Sequence, residues 1–521
     1  MENKKYQLLL KIIIAISILC GIILFVQTTV DDSYICFRYG YNLIKHGIWN
    51  WNPDNDRIEA YTSFTYMMLS VIPPLLNVQP QFVFKIITFI FFLLIIRRIY
   101  RLTNNKLYAL LIILALTANW QTHVHIYAGL ETIFWFYLLI EVFAILYTDD
   151  LGKKAQTKLW LLALLLPLTR PEGAVFSLFI FVYILFVKKQ KIYWTALFLF
   201  AGIGGVYFLW RFLYFGLPLP LSFYHKSVGN NLGWIGLLFN TITAWQYLLL
   251  GGFIWYLVRK NTLAKSFFII VFAVYFIFYG TTALLMNYAN RFAFQLFYPA
   301  VIFALIVIVN QYSDKEKKRI AVAMLIFMGA IFYKGLFDRM PIQFGTIKEN
   351  MFFTAYMQKT HFNTGNQLAA LKNPDIKVAI GDAGVIPYLA NTKCYDPYGL
   401  ADVHLSMHHL DEEYFNKMDA DLLILSGMFR DEKTLAEKDI TNIGIMYHII
   451  QKQDSTYTLI DKFNTDRGRY SMFFYIKNKS PYKQEIMSAV AKAKIQHDNF
   501  KITMHDFFQF KYMNNYLEKA D

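Results

Sequence analysis

The chain has 521 residues, of which 56% are hydrophobic and 18% aromatic, and its mean hydropathy is +0.35. An apolar content this high, gathered in long runs, excludes an ordinary soluble globular domain. The formal net charge of +15 does not indicate nucleic-acid binding, because most lysines and arginines stand in short clusters between the apolar runs. Such clusters are typical of cytoplasmic loops, so the composition predicts a polytopic α-helical membrane protein.

The first apolar run, 8–26, follows a lysine-rich start. It has two possible interpretations, a cleaved signal peptide or a first transmembrane helix. The run is long for the apolar core of a signal peptide. Two adjacent carboxylates, Asp31 and Asp32, follow it in place of a small-residue cleavage site. We therefore predict an uncleaved first transmembrane helix.

A spanning helix needs about 20 apolar residues. Eleven segments are candidates, some of them short: 8–29, 82–97, 107–120, 131–147, 158–169, 173–187, 192–213, 233–257, 266–285, 293–311 and 320–337. Between them lie five basic clusters, at 97–106, 153–158, 188–191, 259–265 and 315–319. With the amino terminus inside, all five clusters are cytoplasmic, as the positive-inside rule requires. We therefore predict a multi-pass protein of the bacterial cytoplasmic (inner) membrane whose carboxyl-terminal part is extracytoplasmic.

One further segment, 61–76, is apolar enough to cross. A crossing there would invert the charge pattern, and Pro73 and Pro74 disfavour a straight span. We therefore predict an interfacial or re-entrant helix within a first outer loop, 30–81.

After about residue 338 the apolar runs shorten and the charges mix. Four segments have the pattern of strands: Lys377–Ile380, 421–425, 457–460 and 470–476. A helical stretch follows at 483–494. The sequence thus predicts a transmembrane domain, 1–337, that includes the first outer loop, 30–81, and a soluble extracytoplasmic α/β domain, 338–521.

The first outer loop contains the most informative group of polar and aromatic residues. Carboxylates at a membrane boundary are costly to desolvate, so Asp31 and Asp32 are expected to face water, a cation or a polar cavity. Arg38, Glu59 and Tyr61 follow among several tryptophans and asparagines. An interfacial loop with an aromatic belt is the structural alternative.

The order of these residues resembles the first outer loop of GT-C superfamily glycosyltransferases. It runs Asp-Asp-x-Tyr from residue 31, Arg-Tyr from 38, Trp-Asn-Pro from 51 and Glu-x-Tyr-Thr from 59. Similar pieces follow in the same order: Gly-Leu-Glu-Thr from 129, Thr-Arg-Pro-Glu-Gly from 169, Arg-x-x-Tyr-x-Gly from 211, Asn-Arg-Phe from 290, Gly-Asp-Ala-Gly from 381 and Tyr-Gly-Leu from 398. The branch that they resemble includes the mycobacterial terminal arabinofuranosyltransferase.

The resemblance implies an enzyme that moves a sugar from a polyprenyl-phosphate-linked donor to an acceptor hydroxyl, with inversion, at the outer face of the membrane. The acceptor would be a glycan, a lipid or a protein. Asp31 or Asp32 would act as the general base. No cofactor is expected with certainty, and the sequence leaves open a divalent cation, Mg or Mn, held by Asp31 or Asp32 and the donor phosphate.

The matching motifs supply the remaining candidates for substrate binding: Arg38, Glu59, Tyr61, Glu131, Arg211, Tyr224, Lys226, Asn290, Arg291, Asp382 and Tyr388. Arg291 is the first candidate to stabilise the departing phosphate, and an interfacial anchor is its alternative role. Arg211 and Lys226 are second candidates for the phosphate.

Several candidates have structural alternatives. Glu131 is equally suited to cap the helix that follows it. Asp382 stands in a glycine-rich turn after a predicted strand, where backbone N–H groups can bind an anion. Tyr388 would stack on a sugar or belong to an ordinary core. Arg170 and Glu172 are expected to form a structural ion pair.

Other sites and functions have weaker support. His123 and His125 alone are too few ligands to predict zinc. A ligase or polymerase of lipid-linked glycans should show a large outer loop with paired arginines between late spans, and we find none. A transporter or flippase should show charges in mid-span and related halves. A membrane scaffold would not explain why the polar motifs collect on one side.

Overall fold

The computed structural model describes residues 2–54, 56–148, 151–228, 233–258, 260–281, 284, 287–311, 346–429, 431–438, 441–453, 455–464, 470–510 and 512. The predicted span 320–337, the basic cluster 315–319 and the predicted domain boundary after residue 337 lie outside these residues.

Helices account for most of the chain up to residue 311. The predicted spans in this part overlap the helices Glu2–Phe25, Pro80–Leu102, Lys106–Ala118, Thr132–Leu146, Lys153–Thr169, Gly173–Val182, Trp194–Phe215, Gly233–Thr243, Trp245–Leu257, Thr262–Tyr279 and Arg291–Gln311. The helix Trp120–Tyr127 was not predicted, because the span 107–120 reaches only its first residue. A π-helical turn, Tyr183–Val187, continues one helix, and a 3-10 turn, Tyr288–Asn290, precedes the last.

Only some of these helices are long and apolar enough to cross a membrane as a single helix. Within the described part of the chain, four helices are long and apolar enough to cross a membrane, or six if each of two bent pairs is one span. The four are Lys4–Phe25, Trp194–Phe215, Thr262–Tyr279 and Tyr288–Gln311. Other predicted spans form shorter apolar helices, such as Thr132–Leu146 and Gly173–Val187.

Two pairs of helices are bent: one lies within the predicted span 233–257, and the other begins in the predicted span 107–120 and continues beyond its end. The break between Lys106–Ala118 and Trp120–Tyr127 turns the chain by 65°. Asn119 leaves the helical conformation there, and its side chain accepts a hydrogen bond from the N–H of Gln121 at 3.0 Å. Asparagine favours such caps, so the break begins a new helix. The second break, between Gly233–Thr243 and Trp245–Leu257, lies at the non-helical Ala244.

The segment 61–76 forms two short helices, Phe64–Leu69 and Ile72–Leu76. Ser63 caps the first helix by accepting the N–H of Tyr66. Pro73 stands in the first turn of the second, where its missing N–H leaves no hydrogen bond unmade.

Five strands form one mixed sheet in the order β2-β1-β3-β5-β4. Their bounds are Lys377–Ile380 (β1), Lys393–Tyr395 (β2), Leu422–Gly427 (β3), Tyr457–Asn464 (β4) and Ser471–Lys477 (β5). The first three are parallel to one another, and β5 is antiparallel to β3 and β4. Every residue of β3 is buried, as expected for a central strand covered on both faces. The sequence did not predict β2, which has only three residues.

The sheet is accompanied by the helices Ile347–Met357, Asn363–Ala369, Val385–Ala390, Glu412–Met418, Glu432–Ala436, Asn442–Lys452, Lys483–Asn499 and Met504–Phe508, with a π-helical turn at Gln358–Phe362. Several of these helices begin at acidic or hydroxyl caps. Asp411 accepts the N–H of Tyr414 at 2.7 Å, and Asp431 accepts that of Thr434 at 2.8 Å.

The chain divides into two compact units. A helical unit comprises Met1–Thr28, Gln81–Trp210 and Asn231–Met351. A mixed unit comprises Thr29–Pro80, Arg211–Asn230 and Phe352–Asp521. The first outer loop therefore groups with the sheet and not with the helices that flank it. Its own helix, Ser33–His46, and the helix Leu221–Val228 belong largely to the mixed unit.

Candidate functional site

The turn that follows β1 holds the first of the two predicted catalytic carboxylates. β1 ends at Ile380, and the helix Val385–Ala390 begins after four residues. Both oxygens of the Asp31 carboxylate accept backbone N–H groups of this turn, from Gly384 at 3.1 Å and from Val385 at 2.7 Å. The glycine-rich turn thus binds an anion, and this anion is a side chain of the same unit.

Gly384 allows this close approach because it has no Cβ. A Cβ atom at this position would lie 2.1 Å from the carbonyl oxygen of Asp31 and 2.5 Å from its carboxylate. Any larger residue would displace Asp31 or the turn.

A second buried carboxylate, Asp382, stands on the same turn. It accepts a hydrogen bond from Nε2 of His361 at 3.1 Å and another from the hydroxyl of Tyr470. Nδ1 of His361 lies 2.8 Å from the hydroxyl of Thr360. The turn therefore contributes Asp382 and binds Asp31, and the imidazole of His361 interacts electrostatically with both carboxylates.

The electrostatics of this cluster shift the pKa values of the two carboxylates in opposite directions. Burial raises the pKa of Asp31 to about 7; the negative charge of Asp382 adds to the shift, and His361 opposes it. Burial also acts on Asp382, but its hydrogen bonds and the charge of His361 outweigh it and lower the pKa. For His361, burial disfavours the charged form, while Asp382 and Asp31 outweigh burial and raise the pKa. A protonated His361 beside ionised Asp382 leaves Asp31 as the group that titrates near neutral pH.

Asp32 lies in a different environment from Asp31. It occupies the N-cap position of the helix Ser33–His46 without a capping hydrogen bond from its side chain. Asp32 is half-buried, whereas Asp31 is only 5% exposed.

Arg38 is buried and its guanidinium is engaged within the mixed unit. Its Nε donates to the carbonyl of Trp51 at 2.5 Å, and one Nη donates to the carbonyl of Thr392 at 2.7 Å and to Asn52 at 3.2 Å. The other Nη lies 3.8 Å from the sulfur of Cys394. Burial lowers the pKa of Arg38. These contacts hold the first outer loop against β2, so Arg38 stabilises the fold of the mixed unit.

Two of the predicted substrate-binding residues pair with each other. Arg211 donates to both oxygens of Glu59, at 2.7 and 2.5 Å, and both side chains are 3% exposed. Arg211 also donates to the carbonyl of Pro218 at 2.7 Å. Burial raises the pKa of Glu59 in spite of Arg211.

The predicted aromatic residues lie among other rings. The ring of Tyr61 meets that of Tyr39 edge-on at 4.8 Å. Tyr388 is in edge contact with Tyr34 and Tyr41. Tyr224 is half-buried, and its ring lies 6.2 Å from that of Phe223. The backbone of Lys226 belongs to the helix Leu221–Val228, and its side chain lies outside the described residues.

In the helical unit, Arg170 lies between two carboxylates. It donates to Glu172 at 2.6 Å and to Glu131, and also to the hydroxyl of Tyr279 at 3.0 Å. The predicted ion pair of Arg170 with Glu172 is thus confirmed. Glu131 does not cap its helix, because its side chain accepts no N–H from the first turn and pairs with Arg170 instead.

Arg291 contrasts with Arg170 in the same unit. It is 8% exposed, its guanidinium lies over the ring of Phe292 at 4.8 Å, and no carboxylate pairs with it among the described residues. Its Nε has no hydrogen-bond partner in that part of the chain. The preceding Ala289 and Asn290 have φ of 46° and 56°, in the left-handed region. Strained backbone beside a buried cation without an ion pair is typical of a binding site.

No three His, Cys, Asp or Glu side chains are arranged to hold a metal ion within the described ranges. His123 bonds the carbonyl of Thr117 at 2.6 Å.

Two members of the cluster around Asp382 were missed by the sequence analysis. No local pattern distinguishes His361, which lies in a π-helical turn, or Tyr470, which directly precedes β5. The sheet explains their position: Gly427 at the end of β3 pairs with Ser471, and β3 runs parallel to β1. The residues that follow β1 and precede β5 therefore meet at one edge of the sheet.

Comparisons with known proteins bear on the fold. A family model described as a domain of unknown function (DUF8728) matches residues 350–475. No curated protein matches the chain. ArnT from Cupriavidus metallidurans, in a crystal structure bound to undecaprenyl phosphate, superposes with a TM-score of 0.52 and 11% identity over 89% of this chain and 97% of that chain. Its apo structure gives a TM-score of 0.52 and 12% identity over 91% and 98% of the two chains. The chain is therefore a multi-pass α-helical membrane protein with the GT-C fold and a carboxyl-terminal domain built on a small mixed sheet.

Proposed function

We propose that this protein is a glycosyltransferase that moves a sugar from a polyprenyl-phosphate-linked donor to an acceptor hydroxyl, with inversion at the anomeric carbon. The GT-C fold and the order of the motifs support this function. The observation that carries the proposal is the buried Asp31 carboxylate in the first outer loop, held by the N–H groups of Gly384 and Val385.

A hydroxyl is a poor nucleophile at neutral pH, and a carboxylate with a pKa near the working pH can accept its proton during attack. Burial gives Asp31 such a pKa, about 7. Its two hydrogen bonds fix the carboxylate and leave lone pairs available to a substrate. Asp31 is therefore our first candidate for the base, and the more exposed Asp32 is the alternative.

The leaving group is a polyprenyl phosphate, on which negative charge develops as the glycosidic bond breaks. A preorganised cation stabilises such charge without reorganising during the reaction. Arg291 supports this role because it is buried and has no carboxylate partner among the described residues. Arg211 is a weaker candidate, since Glu59 already neutralises it.

The likeness of this chain to ArnT also supports a lipid partner. ArnT of the same fold has been crystallised with undecaprenyl phosphate. We propose a polyprenyl phosphate as the carrier of the donor sugar here as well. The acceptor would be a glycan, a lipid or a protein.

Three finer points stay proposals. The motif order suggests the branch of the mycobacterial terminal arabinofuranosyltransferase. The basic clusters suggest the bacterial inner membrane, with the carboxyl-terminal domain outside the cytoplasm. If Mg or Mn takes part, we propose Asp31 or Asp32 as its ligand, and the transfer step proposed here does not depend on the metal.

The test combines deletion of the gene with mass spectrometry of envelope glycans and glycoproteins. We expect a sugar to be missing in the deletion strain and to return with the wild-type gene. Asp31→Asn should fail to restore it, with a loss of transfer of roughly 100-fold or more, while the protein stays folded in the membrane.

Asp32→Asn is the matched control, because it makes the same chemical change at the neighbouring residue. Restoration by Asp31→Asn but not by Asp32→Asn would assign the base to Asp32. Full restoration by both variants would refute both Asp31 and Asp32 as the base. Unchanged glycans in the deletion strain would count against the transferase itself.

A further inference from the structure

The mixed unit contains a cavity of about 790 Å³ that none of Asp31, His361 and Asp382 lines. Its walls come from two segments, 52–58 of the first outer loop and 393–418 of the sheet domain. A cavity of this size lies within the range of ligand-binding pockets, roughly 300–1,000 Å³.

The walls are held in place by contacts between these two segments. Asn52 accepts the N–H of Cys394 at 2.9 Å and donates to its carbonyl at 2.9 Å. Lys393 forms ion pairs with Asp54 at 2.7 Å and Asp56 at 3.0 Å. A cavity whose walls are already joined binds a ligand without the entropic cost of ordering them.

A row of aromatic rings lines one side of the cavity. The ring of His404 stacks on Tyr414, with centroids 4.2 Å apart and planes 13° apart, and lies 5.1 Å from the ring of His408. The hydroxyl of Tyr414 donates to both oxygens of Asp402, at 3.0 and 2.8 Å, which fixes the orientation of its ring. Nε2 of His404 is buried and has no hydrogen-bond partner among the described residues. A buried polar atom of this kind needs a partner, and a ligand in the cavity would supply one.

The charges of the lining nearly cancel. Four carboxylates, from Asp56, Asp402, Asp411 and Glu413, face three cations, from Arg57, Lys393 and Lys417. With one negative charge in excess, the lining offers no strong field to a polyanion or a polycation. Many acceptors and donors beside flat rings suit a neutral molecule that carries several hydroxyl groups.

We propose that this cavity binds a neutral, hydroxyl-rich segment of a glycan, and, resting on the proposed transferase function, that this segment belongs to the acceptor. The polar and aromatic lining would not solvate a prenyl chain, so the lipid-linked donor is not its ligand. The cavity would hold sugar units of the acceptor away from the hydroxyl that is attacked, and so contribute to KM more than to kcat.

The test measures binding without donor, by saturation-transfer difference NMR on the full chain in detergent. The probes are the neutral and the acidic oligosaccharides released by mild acid from the envelope glycans of the cells that produce this protein. We expect the neutral fraction to bind. Tyr414→Ala should weaken binding roughly tenfold, because it removes the ring at the end of the stack.

His408→Ala changes an exposed ring of the same row and serves if Tyr414→Ala fails to fold; we expect a weakening of about threefold. Tyr482→Ala, at a tyrosine that does not line the cavity, is the matched control and should bind as the wild type does. No binding of any fraction, binding of the acidic fraction alone, or equal binding by all three variants would overturn the proposal.

Failure of this inference is distinguishable from failure of the proposed function. If the Asp31 or Asp32 variant loses transfer but the protein binds no glycan through Tyr414, the transferase function is supported and the acceptor-binding role of the cavity is refuted. Glycan binding through Tyr414, without any transfer activity in the cell, would leave a glycan-binding membrane protein.

Discussion

At the residue scale, burial and one imidazole together set the pKa values of two carboxylates. Asp382 belongs to the turn that binds Asp31, and burial disfavours the charged form of both. Two like charges in such a site resist simultaneous ionisation unless a cation compensates them. His361 supplies that charge when it is protonated, and it then lowers the pKa of Asp31 without being required to touch the substrate.

The first prediction concerns the pH dependence of transfer. A general base works in its ionised form, so the wild-type rate should fall as the pH drops through about 7, the pKa of Asp31. The charge of His361 lowers that pKa, so His361→Gln should raise it further and move the acid limb of the pH–rate profile to higher pH.

His448→Gln is a matched control. His448 lies in the same unit and bonds the carbonyl of Ala436 at 3.0 Å, so its substitution should leave the profile unchanged. A His361→Gln profile that coincides with the wild type, or moves to lower pH, would contradict the electrostatic role of His361.

At the element scale, the turn between β1 and the helix Val385–Ala390 places Asp31. A strand that ends at the start of a helix presents unpaired N–H groups, and these groups favour an anion. Ordinarily such a turn would bind a ligand, but here the anion comes from a segment 353 residues earlier in the chain.

The second prediction follows from the close approach at Gly384. Gly384→Ala places a Cβ 2.5 Å from the Asp31 carboxylate, so either the turn or Asp31 must move. We expect a loss of stability of about 1–3 kcal/mol and a fall in transfer of roughly 100-fold, measured by thermal unfolding in detergent and by an in vitro transfer assay.

Gly202→Ala is the control for this substitution, because a Cβ there meets no atom within 4 Å. It should leave both stability and transfer close to those of the wild type. Equal activity in the two alanine variants would show that the placement of Asp31 does not matter for transfer.

The third prediction concerns the ion pair that joins the first outer loop to the end of the helix Trp194–Phe215. Arg211→Met would leave Glu59 buried and unpaired, so we expect it to destabilise the protein by about 3–5 kcal/mol. Glu59→Gln combined with Arg211→Met should cost less than Arg211→Met alone, because no buried charge remains. Thermal unfolding of the wild type, of each single variant (Arg211→Met and Glu59→Gln) and of the double variant measures the coupling, and additive losses would exclude a mutual pair.

At the scale of the whole molecule, the charge pattern predicts which segments face the cytoplasm. Basic residues flank the helix Pro80–Leu102 at its end, at Arg97, Arg98 and Arg101, while the first outer loop begins with carboxylates. Cations resist translocation across the membrane, which ties the orientation of each helix to its neighbours.

The fourth prediction is therefore topological. In a variant whose three native cysteines are replaced by serine, single cysteines at the exposed positions Arg57 and Lys417 should react with a membrane-impermeant maleimide added to intact cells. A cysteine at Arg101 should react only after the membrane is opened. Labelling of positions 57 and 101 from the same side would refute the predicted topology.

Some of the architecture could be predicted because its signals are local. Apolar runs indicated the helices up to residue 311, and four short apolar runs indicated β1, β3, β4 and β5. The bends at Asn119 and Ala244 were not predicted, because a uniform apolar run does not reveal where a helix changes direction. The strand β2, residues 393–395, was too short to be distinguished from a loop by its sequence.

The sequence by itself determined the class of this protein: long apolar runs, clustered cations and a mixed carboxyl-terminal segment specify a membrane protein with an appended α/β domain. Only the tertiary structure decided which polar residues meet. It paired Glu59 with Arg211 and Glu131 with Arg170, engaged Arg38 with backbone carbonyls, and brought His361 to Asp382. Hydrophobic periodicity is a property of neighbouring residues, whereas a buried charge is satisfied by whichever distant segment folds against it.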